Sequence, residues 1–177
     1  MKPLRFSARL LPCILALSAM PSCGYGIGYA KSGPVGTAKS VAVIMFYNKT
    51  HEAGTETLFT EALRNEFALG KTTVLTSRAS AEITVTGTVM SLSSAPVAFI
   101  QGGKGPSIGE YTLGTSIYVE AKNNKSSKII YTGTFGGEEQ YLLANEPVGT
   151  EANRRLAMRR LASRVMKEAH DLMTAGF

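Results

Sequence analysis

The chain has 177 residues, of which 44% are hydrophobic and only 18% charged, with a formal net charge of +6. Disorder is excluded, since it needs low hydrophobicity with high net charge, and so are collagen-like and coiled-coil compositions. The length fits one domain around one core.

The first segment lowers the charge. Lys2, Arg5 and Arg9 precede an apolar run, Leu10 to Met20, that closes on small residues before Cys23. A basic start, a short apolar centre and a small-residue exit make a secretory signal peptide over 1–22. The run is too short to span a bilayer, which takes about 20 residues. Removing it takes three basic side chains and no acidic one, which halves the net charge to +3. A strongly basic nucleic-acid-binding domain is thereby disfavoured, and no nucleic-acid partner is expected.

Cysteine usage points the same way. Cys13 leaves with the signal, and Cys23 becomes the first residue of the mature chain and its one thiol. An exported protein with one unpaired cysteine is chemically odd, and acylation of the sulfur resolves the oddity. Cys23 is therefore the expected lipidation site. The competing reading is ordinary cleavage near Ser18 or Ser22, favoured by the unusual Met20-Pro21-Ser22 before the cysteine. Residues 23–39, rich in Gly, Ser and Pro, read as a flexible lipid-anchored tether, and 40–177 as a single domain.

Ser40 to Tyr47 is continuously apolar, the pattern of a buried strand. Thr55 to Leu69 follows as a helix with Thr55 as N-cap, a stripe of Leu58, Phe59, Ala62, Leu63 and Phe67, and Gly70 in the C′ position. Thr72–Thr76 is a short strand candidate. Glu82–Leu92 alternates through Ile83, Val85, Gly87 and Val89, and Glu110–Lys122 through Tyr111, Leu113, Ile117, Val119 and Ala121. Between them, Gln101 to Pro106 reads as a mobile loop. Asn123-Asn124-Lys125-Ser126 marks a turn into Lys128–Phe135, completing a hairpin. The last helix runs from Thr150, its cap, to about Met173, with Leu156, Ala157, Leu161, Val165, Ala169 and Leu172 as the apolar stripe. Arg155, Arg159, Arg160, Arg164 and Lys167 fill much of the remainder. The fold class is α+β: a two-layer α/β sandwich in β-α-β-β-β-α order, with two helices packed on one face of a mixed or antiparallel sheet.

Chemistry-bearing motifs are scarce. His51 and His170 are far apart and belong to no metal-spacing motif, so no metal or cofactor is expected. No G-x-S-x-G elbow is present. Gly70-Lys71-Thr72 imitates the tail of a phosphate loop, but Asn65 stands where that motif needs Gly, and the helix precedes the strand. Glu138-Glu139 reads as a solvated strand end, and Asp171 is the chain's one aspartate. The chain is expected not to be an enzyme.

A family resemblance spans nearly the whole mature chain. Cys23-Gly24-Tyr25 is similar to the lipidated C-G-[FY] of the LPS-assembly lipoprotein family LptE. Val43 to Thr50, with Phe46-Tyr47-Asn48-Lys49-Thr50, resembles its strand ending in F-x-N-x-T. Ala79-Ser80-Ala81-Glu82-Ile83 to Gly87 resembles its A-D-A-x-L-x-G strand entry, with Ser80 in place of Asp. The helix bearing Ala152, Leu156, Ala157, Leu161 and Ala162 matches its Ala-rich ending. The resemblance implies a non-enzymatic, lipid-anchored, periplasm-facing protein of a Gram-negative outer membrane. As a plug and partner of the LptD β-barrel, it would help deliver lipopolysaccharide to the outer leaflet. The alternative is a periplasm-facing ligand-binding or adhesin-like lipoprotein without a barrel partner. Lipopolysaccharide carries phosphates, which Lys and Arg bind. The lysines Lys122, Lys125 and Lys128 around the hairpin tip, with Lys104 in the Gly-rich loop, are the expected contact group. The helix arginines are read as a solvated face.

Overall fold

The apolar run at Ser40 does not make one strand. In the computed structural model, which describes residues 33–70, 73–102 and 105–175, it splits in two. Strand β1 (Ser40–Val43) buries Val41, Ala42 and Val43, and β2 (Tyr47–Asn48) follows after a break. The break arises because the Phe46 N–H donates to the Thr60 hydroxyl at 2.9 Å instead of to a neighbouring strand. Phe46 thereby turns inward to 3% exposure, while Met45 and Tyr47 face out. Cys23 and Lys104 lie outside the described residues.

Helix α1 (Thr55–Leu69) buries Phe59, Leu63 and Phe67, the expected stripe, with Leu58 and Ala62 half-buried. Its ends differ from expectation. Gly54, at φ 88°, is the N-cap, and Thr55 is the first helical residue, its hydroxyl donating to the Glu52 carbonyl at 3.0 Å. A left-handed cap conformation suits glycine, which has no Cβ to clash. Gly70 is extended, at φ −67° and ψ 136°, rather than left-handed. β3 (Val74–Leu75) is the next described element.

β4 (Ile83–Gly102) and β5 (Gly105–Asn123) form one long antiparallel hairpin, paired from Ile83↔Asn123 to Gly102↔Gly105. The segment expected as a mobile loop is therefore mostly ladder. Backbone pairing carries it past the core, with irregularities at Val89/Ser91 and around Pro96–Phe99. Pro96, which lacks an N–H, sits at one of these irregularities. β6 (Ile129–Leu142) pairs antiparallel with β5. The six-stranded mixed sheet has the order β3-β1-β4-β5-β6, β1 being parallel to both neighbours and β2 adding to β4.

Helix α2 (Pro147–Thr174) begins with Pro147 in its first turn, a position where the missing N–H costs nothing. Thr150 is therefore not the cap; its hydroxyl accepts the Ala144 N–H at 3.0 Å. Leu161, Val165, Met166, Ala169 and Met173 are buried, whereas Leu156 is 42% exposed and lies off the packed stripe. Both helices pack on one face of the sheet, and the two-layer α+β sandwich stands; the first strand is divided, and with the short β3 counted four strands lie between the helices. The stretch 33–39, read from sequence as the end of the tether, packs on α2: Gly33 N–H donates to Thr174 O at 2.7 Å, and Val35 N–H to Met173 O at 3.1 Å.

Candidate functional site

The F-x-N-x-T phrase is a structural knot. Asn48 Oδ1 accepts from both the Thr50 N–H and hydroxyl at 2.8 Å, the self-bonding typical of Asn in turns. Its amide nitrogen donates to Glu52 O and Glu56 Oε2, both at 2.8 Å. Glu56 is held below the ordinary carboxylate range, first by its own backbone N–H, with Asn48 and the Gly54 N–H adding. Arg154 of α2 closes the knot through a hydrogen-bonded ion pair with Glu52. The second motif meets the first in the core: a Cβ on Gly87 would lie 2.5 Å from the Phe46 ring. Two phrases about forty residues apart in sequence are one packing pair.

On the face away from the helices the strands present hydroxyls. Alternation places Thr86, Glu120 and Thr132 in one cross-strand row and Thr88, Tyr118 and Thr134 in the next. No helix among the described residues covers this face.

The basic residues divide by environment. On α2, Arg164 pairs with Glu139 at 2.9 Å and also donates to the Glu138 carbonyl. Arg155 pairs with Glu151 at 3.6 Å, and Lys167 with Asp171 at 2.7 Å. Much of that helix's charge is thus engaged, and Glu139 is an ion-pair partner rather than a free strand end. Among the described residues, Lys122, Lys125 and Lys128 are exposed and in no ion pair. Gly102 and Gly105 pair at the opposite end of the β4–β5 ladder from Lys122. The residue that joins Lys122 is Arg78, which the sequence reading missed. Arg78, Lys122, Thr84, Thr86, Glu120, Asn124 and Ser127 line a polar cradle of about 360 Å3 beside the hydroxyl-rich face. Two cations among hydroxyl and amide donors suit a phosphate oxyanion.

The histidines do other work. His170 packs edge-on against Phe67, with ring centroids 4.8 Å apart, joining α2 to α1. Asp171 beside it is held below its ordinary value, first by the Lys167 hydrogen bond and then by His170. His51 is exposed at the rim of an open cleft with Lys49, Met90 and Leu92. No cluster of His, Cys, Asp and Glu able to hold a metal occurs among the described residues, nor does a helix long and apolar enough to cross a membrane.

The sequence profile of the LptE family, described as lipopolysaccharide-assembly, matches residues 38–173. The chain belongs to the LptE family. The LptE match covers every strand and nearly all of both helices, including the Phe46–Gly87 pair and the Asn48 knot. No curated protein sequence matches the chain. Among solved structures, a PelC variant of Paraburkholderia phytofirmans, solved as a dodecamer, is 14% identical, covering 82% of this chain and 96% of that one at a TM-score of 0.50. A hypothetical protein of Chlamydia trachomatis is 11% identical, covering 76% and 96%, also at 0.50. A Xanthomonas campestris protein is 8% identical over 74% and 82%, again at 0.50. At these identities the likeness is one of fold.

Proposed function

We propose that this LptE-family chain is an outer-membrane lipoprotein of a Gram-negative cell, anchored through acylated Cys23, that serves lipopolysaccharide assembly without enzymatic chemistry. Its partner in this reading is an LptD-type β-barrel, which it plugs. The observation that carries the reading is the uncovered sheet face. A wall of Thr and Tyr hydroxyls, open to solvent on a six-stranded sheet, suits the polar lumen of a barrel. Extraction in mild detergent followed by affinity purification tests it. A large barrel recovered in equal amount supports the plug; recovery of the chain alone supports the ligand-binding alternative.

In high salt, Cys23→Ala releases the chain from membranes that lack the barrel, because each buried methylene contributes about 0.8 kcal/mol and two or more acyl chains are needed for stable anchoring. Intact mass of the membrane-extracted protein checks the chemistry: a mature terminus without acyl mass removes the anchor from the reading.

The cradle is the proposed lipopolysaccharide contact, with Arg78 and Lys122 facing its phosphates. Arg78→Glu with Lys122→Glu weakens lipopolysaccharide binding roughly tenfold or more, since a charge-assisted contact contributes about 1.5–3 kcal/mol. The loss shrinks as salt rises, and thermal stability stays unchanged. Binding that survives this pair of changes moves the contact elsewhere.

A further inference from the structure

We propose that the end of the domain where the tether enters is a docking surface for anionic phospholipid headgroups, which sets the domain's orientation on the membrane. The inference goes beyond the assembly reading, because it requires neither the barrel nor lipopolysaccharide.

A continuous row of hydrogen bonds defines that end. The Lys39 N–H donates to Glu82 Oε2 at 3.0 Å, and the Glu82 N–H donates to Ser40 Oγ at 3.1 Å. The Asn124 N–H donates to Glu82 O at 2.9 Å, and the Asn124 side-chain amide to Ala81 O at 2.7 Å. The start of β1, the start of β4 and the β5–β6 turn therefore lie side by side. The chain enters the domain here too, because Val35 accepts the Ala38 N–H and itself donates to Met173 at the end of α2. About ten residues separate Cys23 from Gly33, a reach of about 35 Å at most. An acyl anchor at Cys23 therefore holds this end, rather than the Gly102–Gly105 end, close to the bilayer.

The end is basic. Lys39, Arg78, Lys122, Lys125 and Lys128 are all exposed on it, opposed by Glu82 and Glu120. None of the five is in an ion pair among the described residues. The turn that carries two of them is pre-formed. Asn123 Oδ1 accepts the N–H of Lys125 and of Ser126, each at 3.0 Å, and Ser127 takes a positive φ of 57°. Lys125 and Lys128 are thus presented from a fixed turn, so little ordering entropy opposes binding. A basic side chain at an anionic membrane surface contributes about fivefold in partitioning, and the attraction fades beyond a Debye length of about 10 Å. Five such groups on one end act only when that end faces the headgroups. This orientation points the β4–β5 hairpin away from the surface.

The test is vesicle flotation of the whole mature chain carrying Cys23→Ser, so that no acyl chain contributes. The vesicles are phosphatidylcholine with about 30% phosphatidylglycerol, or phosphatidylcholine alone, and contain neither barrel nor lipopolysaccharide. The wild-type surface binds the anionic vesicles, releases at high salt, and ignores the neutral ones. Lys39→Glu, Lys125→Glu and Lys128→Glu together lower partitioning about a hundredfold, while Arg159→Glu with Arg160→Glu on α2 changes it less than about threefold. Should the reversal set fail to fold, the three Lys→Gln changes replace it, with a loss in the same direction. Unchanged binding by the Lys39, Lys125, Lys128 variant overturns the proposal. Equal loss from the α2 control does so too, because it marks attraction by net charge alone. Binding confined to vesicles in which lipopolysaccharide replaces phosphatidylglycerol also overturns it. None of these outcomes bears on co-purification with the barrel, which tests the assembly reading separately.

Discussion

Leu161→Ala lowers the free energy of unfolding by about 2–5 kcal/mol, the range for removing a buried leucine side chain. Leu161 is fully buried in α2, and what it meets across the interface is a glycine. A Cβ on Gly137 would stand 3.2 Å from Leu161 Cδ1 and 3.2 Å from Val165 Cγ2, so the helix rides directly on the β6 backbone. No side chain at position 137 can swing into the space the leucine leaves. The cavity persists, and the cost falls in the upper part of the range. Leu156→Ala, five residues earlier and 42% exposed, is the internal control and costs less than about 0.5 kcal/mol. Urea unfolding of the two variants with unchanged m-values separates them. A cost under 0.5 kcal/mol for Leu161 means that α2 presents a different face to the sheet.

That contrast shows where periodicity suffices as a guide to fold. Phe59, Leu63 and Phe67 on α1, and Leu161, Val165 and Ala169 on α2, recur every three or four residues because one helical face meets the sheet, and the structure buries all six. Leu156 falls outside that spacing: Ala157, buried, starts the four-residue stripe to Leu161, Val165 and Ala169, and Leu156, one position earlier, points about 100° away from it. The Asn-rich turn at Asn123 was legible because Asn bonds its own backbone there. The outer half of β4 was not. Ser93-Ser94-Ala95-Pro96 has weak strand propensity and no alternation of its own, and pairing with β5, with the Ser94 and Tyr141 hydroxyls 3.0 Å apart, extends it.

The candidate site was legible only in part, for a related reason. Lys122 stands out by its place beside a turn, whereas Arg78 sits in Ser77-Arg78-Ala79-Ser80, a stretch without period. Only the pairing of β4 with β5 brings Arg78 and Lys122 to one cradle.

Gly87→Ala destabilises the fold by about 1–3 kcal/mol, the cost of overpacking a filled core, and Phe46→Leu relieves part of that cost. The added Cβ would lie 2.5, 2.6 and 2.7 Å from three atoms along one edge of the Phe46 ring. The ring tip of a mobile side chain would yield cheaply, but this one is 3% exposed, and its backbone N–H is fixed on the Thr60 hydroxyl at 2.9 Å. Moving the ring means displacing either the core around it or the hydrogen bond that breaks β1 from β2. A leucine at position 46 removes the far ring atoms that meet the new methyl group. Phe46→Leu alone destabilises by leaving the glycine's side of the pocket empty. The double variant therefore costs less than the sum of the two single ones, by more than about 0.5 kcal/mol, the limit within which independent sites add. Strict additivity in a chemical-denaturation cycle means that the two positions do not touch. Coupling means that the Phe of the F-x-N-x-T phrase and the glycine of the following strand entry occur together because each is the other's only fit.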